Sequence, residues 1–132
     1  MSKPTKEDAS LMLQLIAMMK KDKVYQKAEI WTFTQYKAKD YEEFKKKYPV
    51  GSEGYGYMAN MLGYGELVGT LVNNELLSED LVYDLFGGML WEKAKDVVHG
   101  LRKDWGRPRL YENFELMAMK YSTWAESHPP KL

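Results

Sequence analysis

The chain has 132 residues, of which 45% are hydrophobic and 14% aromatic, enough for one domain with its own core and too many for a disordered protein. Its 19 basic and 19 acidic residues cancel, so no overall positive charge draws it to nucleic acid or anionic lipid. Cysteine is absent, which excludes disulfides, thiolate catalysis and Cys-based zinc sites and makes the cytoplasm the expected location.

Two helical patterns come first. Spacings of three and four predict a first helix over residues 8–20, with a wide stripe of Leu11, Met12, Leu15, Ile16, Met18 and Met19. A second pattern covers residues 24–39, and neither Gly nor Pro separates the two, so the sequence leaves open whether they form one helix. The apolar run over 11–19 is shorter than the ~20 residues of a membrane span, and we expect neither a span nor a signal peptide.

A short third helix is predicted by its flanking residues. Asp40 and Glu43 have the spacing of a capping box, in which each side chain accepts a hydrogen bond from a free amide at the helix start. Pro49 and Gly51 follow the pattern and cannot continue a helix readily. We therefore predict a helix over Tyr41–Tyr48.

A long helix follows, with Ser52 as its expected N-cap and Asn73 at its end. Its apolar residues occupy more than one face, which is typical of a central helix. Gly65 and Gly69 lie four residues apart and have no side chain to hold a neighbouring backbone away. Alternatively, the glycines only weaken this helix, by about 1 kcal/mol each.

Two further helices complete the pattern. Ser78 is expected to cap a helix that runs to Trp105, with a kink or bulge at Gly87 and Gly88. The last helix is predicted to start near Arg109 and to bury Leu110, Phe114, Met117, Ala118, Tyr121 and Trp124. The sequence therefore predicts an all-α compact bundle of five to six helices without a sheet, a single domain over 1–132 with loose ends at 1–7 and 127–132.

One segment combines arginines with tryptophans. The candidate binding surface consists of Trp91, Arg102, Trp105, Arg107 and Arg109. Guanidinium groups beside indole rings can hold a carboxylate or phosphate. A structural interpretation has more weight, because arginines near a helix C-terminus stabilise its negative pole and aromatic residues at helix junctions usually close a core.

Glu66 is adjacent to Gly65 on the central helix and is therefore expected to be partly buried. A buried carboxylate needs a partner, and we predict an ion pair between Glu66 and Arg102. The alternative is an exposed Glu66 on a polar edge of the helix.

The remaining motifs argue against catalysis and cofactors. Gly54–Ala59 has the letters of a dinucleotide fingerprint but lacks the flanking strands that the motif requires. The two histidines, His99 and His128, have no metal-ligand spacing around them. We expect no metal, no cofactor and no catalytic residue. The helix after Ser78 begins with acidic residues, which a DNA backbone would repel.

Several segments resemble the DUF4760 family. They are GELVGTLV from Gly65, LLSEDLVYDLFG from Leu76, Trp91, and LRKDWGRPRLYENFE from Leu101. The resemblance spans Val24–Glu126 and leaves the Met-rich first helix outside. It implies a bacterial all-α protein whose family has no assigned reaction, and it brings no catalytic residue to this chain.

Two classes of function remain open. The first is a small non-catalytic protein-interaction module that self-associates or binds a protein partner through the Met-rich first helix or the surface around Trp124. The alternative is a nucleic-acid or phosphate binder that uses the Arg102 to Arg109 turn. Nucleic acid is disfavoured by the balanced charge, an enzyme ranks third, and the sequence identifies no small-molecule ligand.

Overall fold

The computed structural model describes residues 3–132, which contain seven α-helices and no strand. The helices are α1 (Lys6–Lys21), α2 (Lys23–Thr34), α3 (Tyr41–Lys47), α4 (Glu53–Asn73), α5 (Glu79–Phe86), α6 (Met89–Trp105) and α7 (Glu112–Ser127). The all-α prediction is confirmed. The helix count slightly exceeds the expected five to six, because the pattern between Ser78 and Trp105 is two helices, separated at Gly87 and Gly88.

Asp22 separates the first two helices. Its backbone is extended, and its carboxylate accepts hydrogen bonds from the amides of Val24 (2.9 Å) and Tyr25 (3.2 Å), so that it caps α2. Its own N–H donates to the carbonyls of Met18 and Met19 and thereby ends α1. The two patterns therefore form two helices, and the break uses neither glycine nor proline.

The other predicted caps have mixed outcomes. Ser52 accepts from the amide of Tyr55, as expected, and Asp40 accepts from the amide of Glu43. Ser78 makes no side-chain cap. Instead, the Ser78 N–H donates to the Asp8 carboxylate at 2.9 Å, which ties the start of α5 to α1. That hydrogen bond joins residues 70 positions apart in the sequence, beyond the reach of local capping rules.

Helix α4 is central and packs between α2 and α7. Gly65 faces the ring of Phe114, and Gly69 faces the backbone of Asn113 and Phe114 on α7. The largest fully buried side chains include Phe44, Met58, Leu62, Val97 and Val98. The glycine spacing in α4 thus corresponds to a close helix-to-helix approach.

Both chain ends are more structured than predicted within the described residues. Thr5 and Asp8 form a capping box, and α1 begins at Lys6, inside the region expected to be a loose end. Residues 1 and 2 of that region lie outside the described residues. At the other end, Ser127 belongs to α7, and the Lys131 ammonium lies 2.8 Å from the Asp84 carboxylate. Within the described residues, the loose ends predicted for 1–7 and 127–132 are corrected at Lys6, Glu7 and Ser127, which are helical.

None of the described helices combines the length and the hydropathy that crossing a membrane requires.

Candidate functional site

The predicted arginine and tryptophan surface does not converge on one site. The Arg102 guanidinium donates to the Glu115 carboxylate (2.6 Å) and to the Leu110 carbonyl (2.7 Å). Arg109 is 87% exposed and pairs with Glu112 at 2.8 Å. Trp105 and Arg107 are exposed at the surface. Trp91 packs edge-on against Phe114 at a centroid distance of 5.4 Å and against His99, which contacts the Glu115 carboxylate. Within residues 3–132 it makes no hydrogen bond or cation–π contact with the arginines.

Arg102 and Glu115 instead connect the end of α6 to α7. Burial alone would raise the pKa of the Glu115 carboxyl, but hydrogen bonds from Arg102 and His99 outweigh it and lower that pKa. The Nη2 atom of Arg102 is buried and has no hydrogen-bond partner among the described residues. This arrangement fixes the turn between α6 and α7. It also engages the Arg102 guanidinium, which the sequence pattern indicated as a candidate group for binding a carboxylate or phosphate.

The predicted ion pair between Glu66 and Arg102 is wrong. Glu66 accepts hydrogen bonds from the Asn113 side-chain amide (2.9 Å) and from the Phe114 backbone amide (3.0 Å). Tyr111, the residue before α7, supplies no side-chain cap. Because the first amides of a helix lack partners within it, a carboxylate from α4 satisfies one of them. Glu66 therefore caps α7 from a neighbouring helix.

A cavity of about 340 Å³ lies among α1, α2, α4, the junction of α5 and α6, and α7. Its volume lies within the range of small-molecule pockets. Eight aromatic residues line it: Tyr25, Phe33, Tyr64, Tyr83, Phe86, Trp91, Phe114 and Tyr121. We call it the aromatic cavity. Among the described residues that line it, Glu29 alone carries a charge.

Three tyrosine hydroxyls of the aromatic cavity already donate hydrogen bonds. Tyr25 donates to Glu29 at 2.8 Å, Tyr64 to Asp22 at 2.7 Å, and Tyr83 to the Met117 carbonyl at 2.7 Å. Burial and the bond to Glu29 raise the pKa of Tyr25, and burial and the bond to Asp22 raise the pKa of Tyr64 to about 12. The bond from Tyr64 in turn lowers the pKa of Asp22. These phenols are therefore neutral at physiological pH.

A glycine pair forms one side of the aromatic cavity. Gly87 has φ +66° and ψ −154°, a backbone conformation that is essentially restricted to glycine. Gly88 follows directly, and a Cβ atom there would lie 2.6 Å from the Tyr121 ring. The chain therefore turns sharply between α5 and α6 and passes close to α7, which places residues from both helices around the opening.

Large apolar side chains surround the opening of the cavity. Leu85 is 58% exposed and Met89 65% exposed, and Phe33 and Phe86 are also exposed. Ile30, one turn before Phe33 on α2, is 62% exposed. We call these five residues the apolar rim. Isolated exposed apolar residues are ordinary, whereas a contiguous exposed apolar patch is a frequent feature of interaction surfaces.

The surfaces that the sequence favoured for self-association are less concentrated. Trp124 is partly buried, donates to Asp80 at 2.7 Å, and stacks on His128 at a centroid distance of 4.2 Å. The groove beside it on α7 is shallow, with Leu116 and Met119 exposed. On α1, Met12, Leu15 and Met19 are buried, whereas Leu13 and Met18 are exposed.

Within the described range 3–132, no group of three or more His, Asp or Glu side chains is arranged to hold a metal ion. The sequence patterns did not single out Tyr25, Glu29 or Phe33 as candidate site residues. One signal was available, because Tyr25 and Glu29 are four residues apart and thus neighbours on a helix. Their position beside Phe114 and Tyr121 depends on how four helices pack.

The comparisons with known proteins give one positive result. The model of the family DUF4760, described as a domain of unknown function, matches residues 4–121. No curated protein and no solved structure matches the chain. The match includes the Met-rich α1, which the resemblance in the sequence had left outside.

Proposed function

Since the chain belongs to the DUF4760 family, a family of unknown function, we propose from its geometry that it is a small non-catalytic helical protein-interaction module that self-associates through the apolar rim. The supporting observation is that four exposed apolar residues line one cavity, with the exposed Ile30 one turn away on α2. Burying such a cluster removes apolar surface from water, which is the main driving force of protein association.

A second copy of the chain is the proposed partner. The five rim residues themselves carry no charge, and the charged groups beside them are of opposite sign, Glu29 in the cavity lining and Lys93 over the Phe33 ring. A two-fold axis uses the same surface on both subunits and closes the assembly as a dimer. We further propose that this dimer acts in the bacterial cytoplasm, which the absence of cysteine supports.

Binding of nucleic acid or phosphate through the Arg102 to Arg109 turn is the less favoured alternative. Two of its three guanidiniums already pair with carboxylates, Arg102 with Glu115 and Arg109 with Glu112. Arg107 would have to supply most of the attraction, and one arginine gives weak, strongly salt-dependent binding. The one observation on this turn that favours a ligand is the Nη2 atom of Arg102, which has no hydrogen-bond partner within residues 3–132, and that atom is buried.

Charged substitutions in the rim are expected to abolish self-association. Leu85→Glu and Met89→Glu would each place a carboxylate in an apolar interface, where burying an unpaired charge is costly. Sedimentation equilibrium over a range of concentrations should give a dimer for the unmodified protein and a monomer for either variant. The affinity of the two subunits for each other should fall at least about tenfold, since burying such a charge costs more than about 1.4 kcal/mol.

Matched controls distinguish the rim from the surfaces that the sequence favoured. Leu13→Glu on α1 and Met119→Glu on α7 change residues of similar exposure, 67% and 64%, and both should leave the dimer intact. Loss of the dimer with either control, but with neither rim variant, would move the interface to α1 or to the Trp124 surface. A protein that is monomeric at every concentration would contradict self-association.

A further inference from the structure

The aromatic cavity carries an electrostatic preference of its own, separate from the apolar rim outside it. Aromatic rings present negative faces, so a pocket lined by several of them attracts cations. The one charged side chain among the described lining residues is the exposed carboxylate of Glu29. It accepts one hydrogen bond, from Tyr25, and takes part in no ion pair within residues 3–132. Both features favour a positively charged group.

The hydroxyls of the cavity act in the same direction. Those of Tyr25, Tyr64 and Tyr83 use their hydrogens within the protein, so each offers only an acceptor oxygen to a ligand. An ammonium group has donors and no acceptor, so it suits such a site. A carboxylate has only acceptors and would lie beside the acceptor oxygens and the Glu29 carboxylate. The Tyr121 hydroxyl makes no hydrogen bond to another described residue and can serve either type of ligand.

Two features favour the opposite charge. The Lys93 ammonium lies over the Phe33 ring, 5.9 Å from its centroid, although Lys93 does not line the cavity. Helix α6 begins beside the cavity, at Met89, and no side chain caps its first amides. The positive end of a helix is equivalent to about half a unit charge, which is smaller than the full charge of the Glu29 carboxylate. The aromatic faces add to the carboxylate. A cation is therefore favoured over an anion, and both are included in the test.

We propose that the aromatic cavity binds a small organic cation, a protonated amine carried on an apolar body. The apolar body would occupy the cavity among Phe114, Trp91 and Tyr64, and the charged group would lie near Glu29 at the opening. The cavity volume of about 340 Å³ suits a ligand of that size. This goes beyond the proposed self-association, and because the apolar rim surrounds the opening, a rim-to-rim dimer would compete with the ligand for access to the cavity.

Three probes of one shape test the charge preference. Phenethylammonium, phenethyl alcohol and phenylacetate share a benzyl body and differ in carrying a cation, a neutral hydroxyl or an anion. Isothermal titration calorimetry should show the cation binding about tenfold tighter than the alcohol, and the anion weakest, given the strength of cation–π and carboxylate contacts. Equal binding of all three, or tighter binding of phenylacetate, would overturn the cation preference.

Glu29→Gln tests the carboxylate directly. It should weaken the cation about tenfold and leave the alcohol unchanged, because only the cation uses the charge. Glu53→Gln is the matched control, since Glu53 accepts from Tyr57 in the same four-residue arrangement but lies outside the cavity. Equal losses with both variants would contradict a role for Glu29.

Two further measurements separate the remaining outcomes. Ala118→Phe would fill the cavity and should abolish binding of every probe. Circular dichroism verifies that the variant is folded. Unchanged binding by the folded variant would show that the probes do not bind in the cavity. Nα-Acetyl-lysine amide keeps its side-chain ammonium and imitates a lysine within a protein. If it binds tighter than phenethylammonium, the occupant of the cavity is a lysine side chain of a partner and not a free small molecule. Because a rim-to-rim dimer would cover the opening, the titrations are made at protein concentrations at which sedimentation shows a monomer, so failure here and failure of the proposed self-association are distinguishable.

Discussion

Replacing Gly69 by alanine is expected to lower the free energy of unfolding by about 3 kcal/mol, the upper part of the range for overpacked interiors. A Cβ atom at this position would lie 2.5 Å from the Asn113 carbonyl oxygen and 2.9 Å from the Phe114 nitrogen. Both atoms belong to the backbone of α7 and cannot rotate away. Helices α4 and α7 would have to separate, and urea denaturation should show the loss.

Gly63→Ala provides the matched control. Gly63 lies in the same helix, and a Cβ atom there would have no neighbour within 4 Å. Alanine is favoured over glycine in a helix interior by about 1 kcal/mol, so this variant should be slightly more stable than the unmodified protein. Equal stability of the Gly63→Ala and Gly69→Ala proteins would contradict the close approach of α4 and α7.

Replacing Glu66 by alanine is expected to lower the free energy of unfolding by about 2 kcal/mol, within the range for partly buried groups that lose a charged hydrogen-bond partner. The substitution leaves the Phe114 amide and the Asn113 side chain without their acceptor. Glu92→Ala is the control, because Glu92 is exposed and makes only a surface pair with Lys95, which is expected to contribute little.

A double-mutant cycle separates the two assignments of Glu66. Glu66→Ala and Asn113→Ala share a hydrogen bond, so their effects on the free energy of unfolding should not add. Glu66→Gln and Arg102→Gln share no partner in the structure, and their effects should add. If thermal and urea denaturation showed additive effects for Glu66→Ala and Asn113→Ala but non-additive effects for Glu66→Gln and Arg102→Gln, the ion pair predicted from the sequence would be supported instead.

The sequence predicts the helices well because their apolar spacing is a local property. Local patterns correctly predict the cap at Ser52, the central position of α4 and its glycine contacts. They do not predict the break at Asp22, since Asp22 ends one helix and caps the next without glycine or proline. Local capping rules also assign Ser78 incorrectly, because Asp8 reaches it from another helix.

The candidate site is harder to predict for a physical reason. Periodicity shows which face of a helix is apolar, but not which helix covers that face. The prediction for Glu66 failed because α7 begins at Glu112 rather than near Arg109, which brings its free amides to α4. The aromatic cavity combines residues such as Tyr25, Trp91 and Phe114 from separate helices, and no local pattern relates them.

The location of the ligand can be read directly from the tryptophan indole signals in a proton–nitrogen NMR spectrum. The chain has four tryptophans, and Trp91 is the one among the described lining residues of the aromatic cavity. Titration with phenethylammonium should move the Trp91 signal and leave those of Trp31, Trp105 and Trp124 in place. Movement of the Trp105 signal without that of Trp91 would contradict the cavity and return the site to the arginine turn.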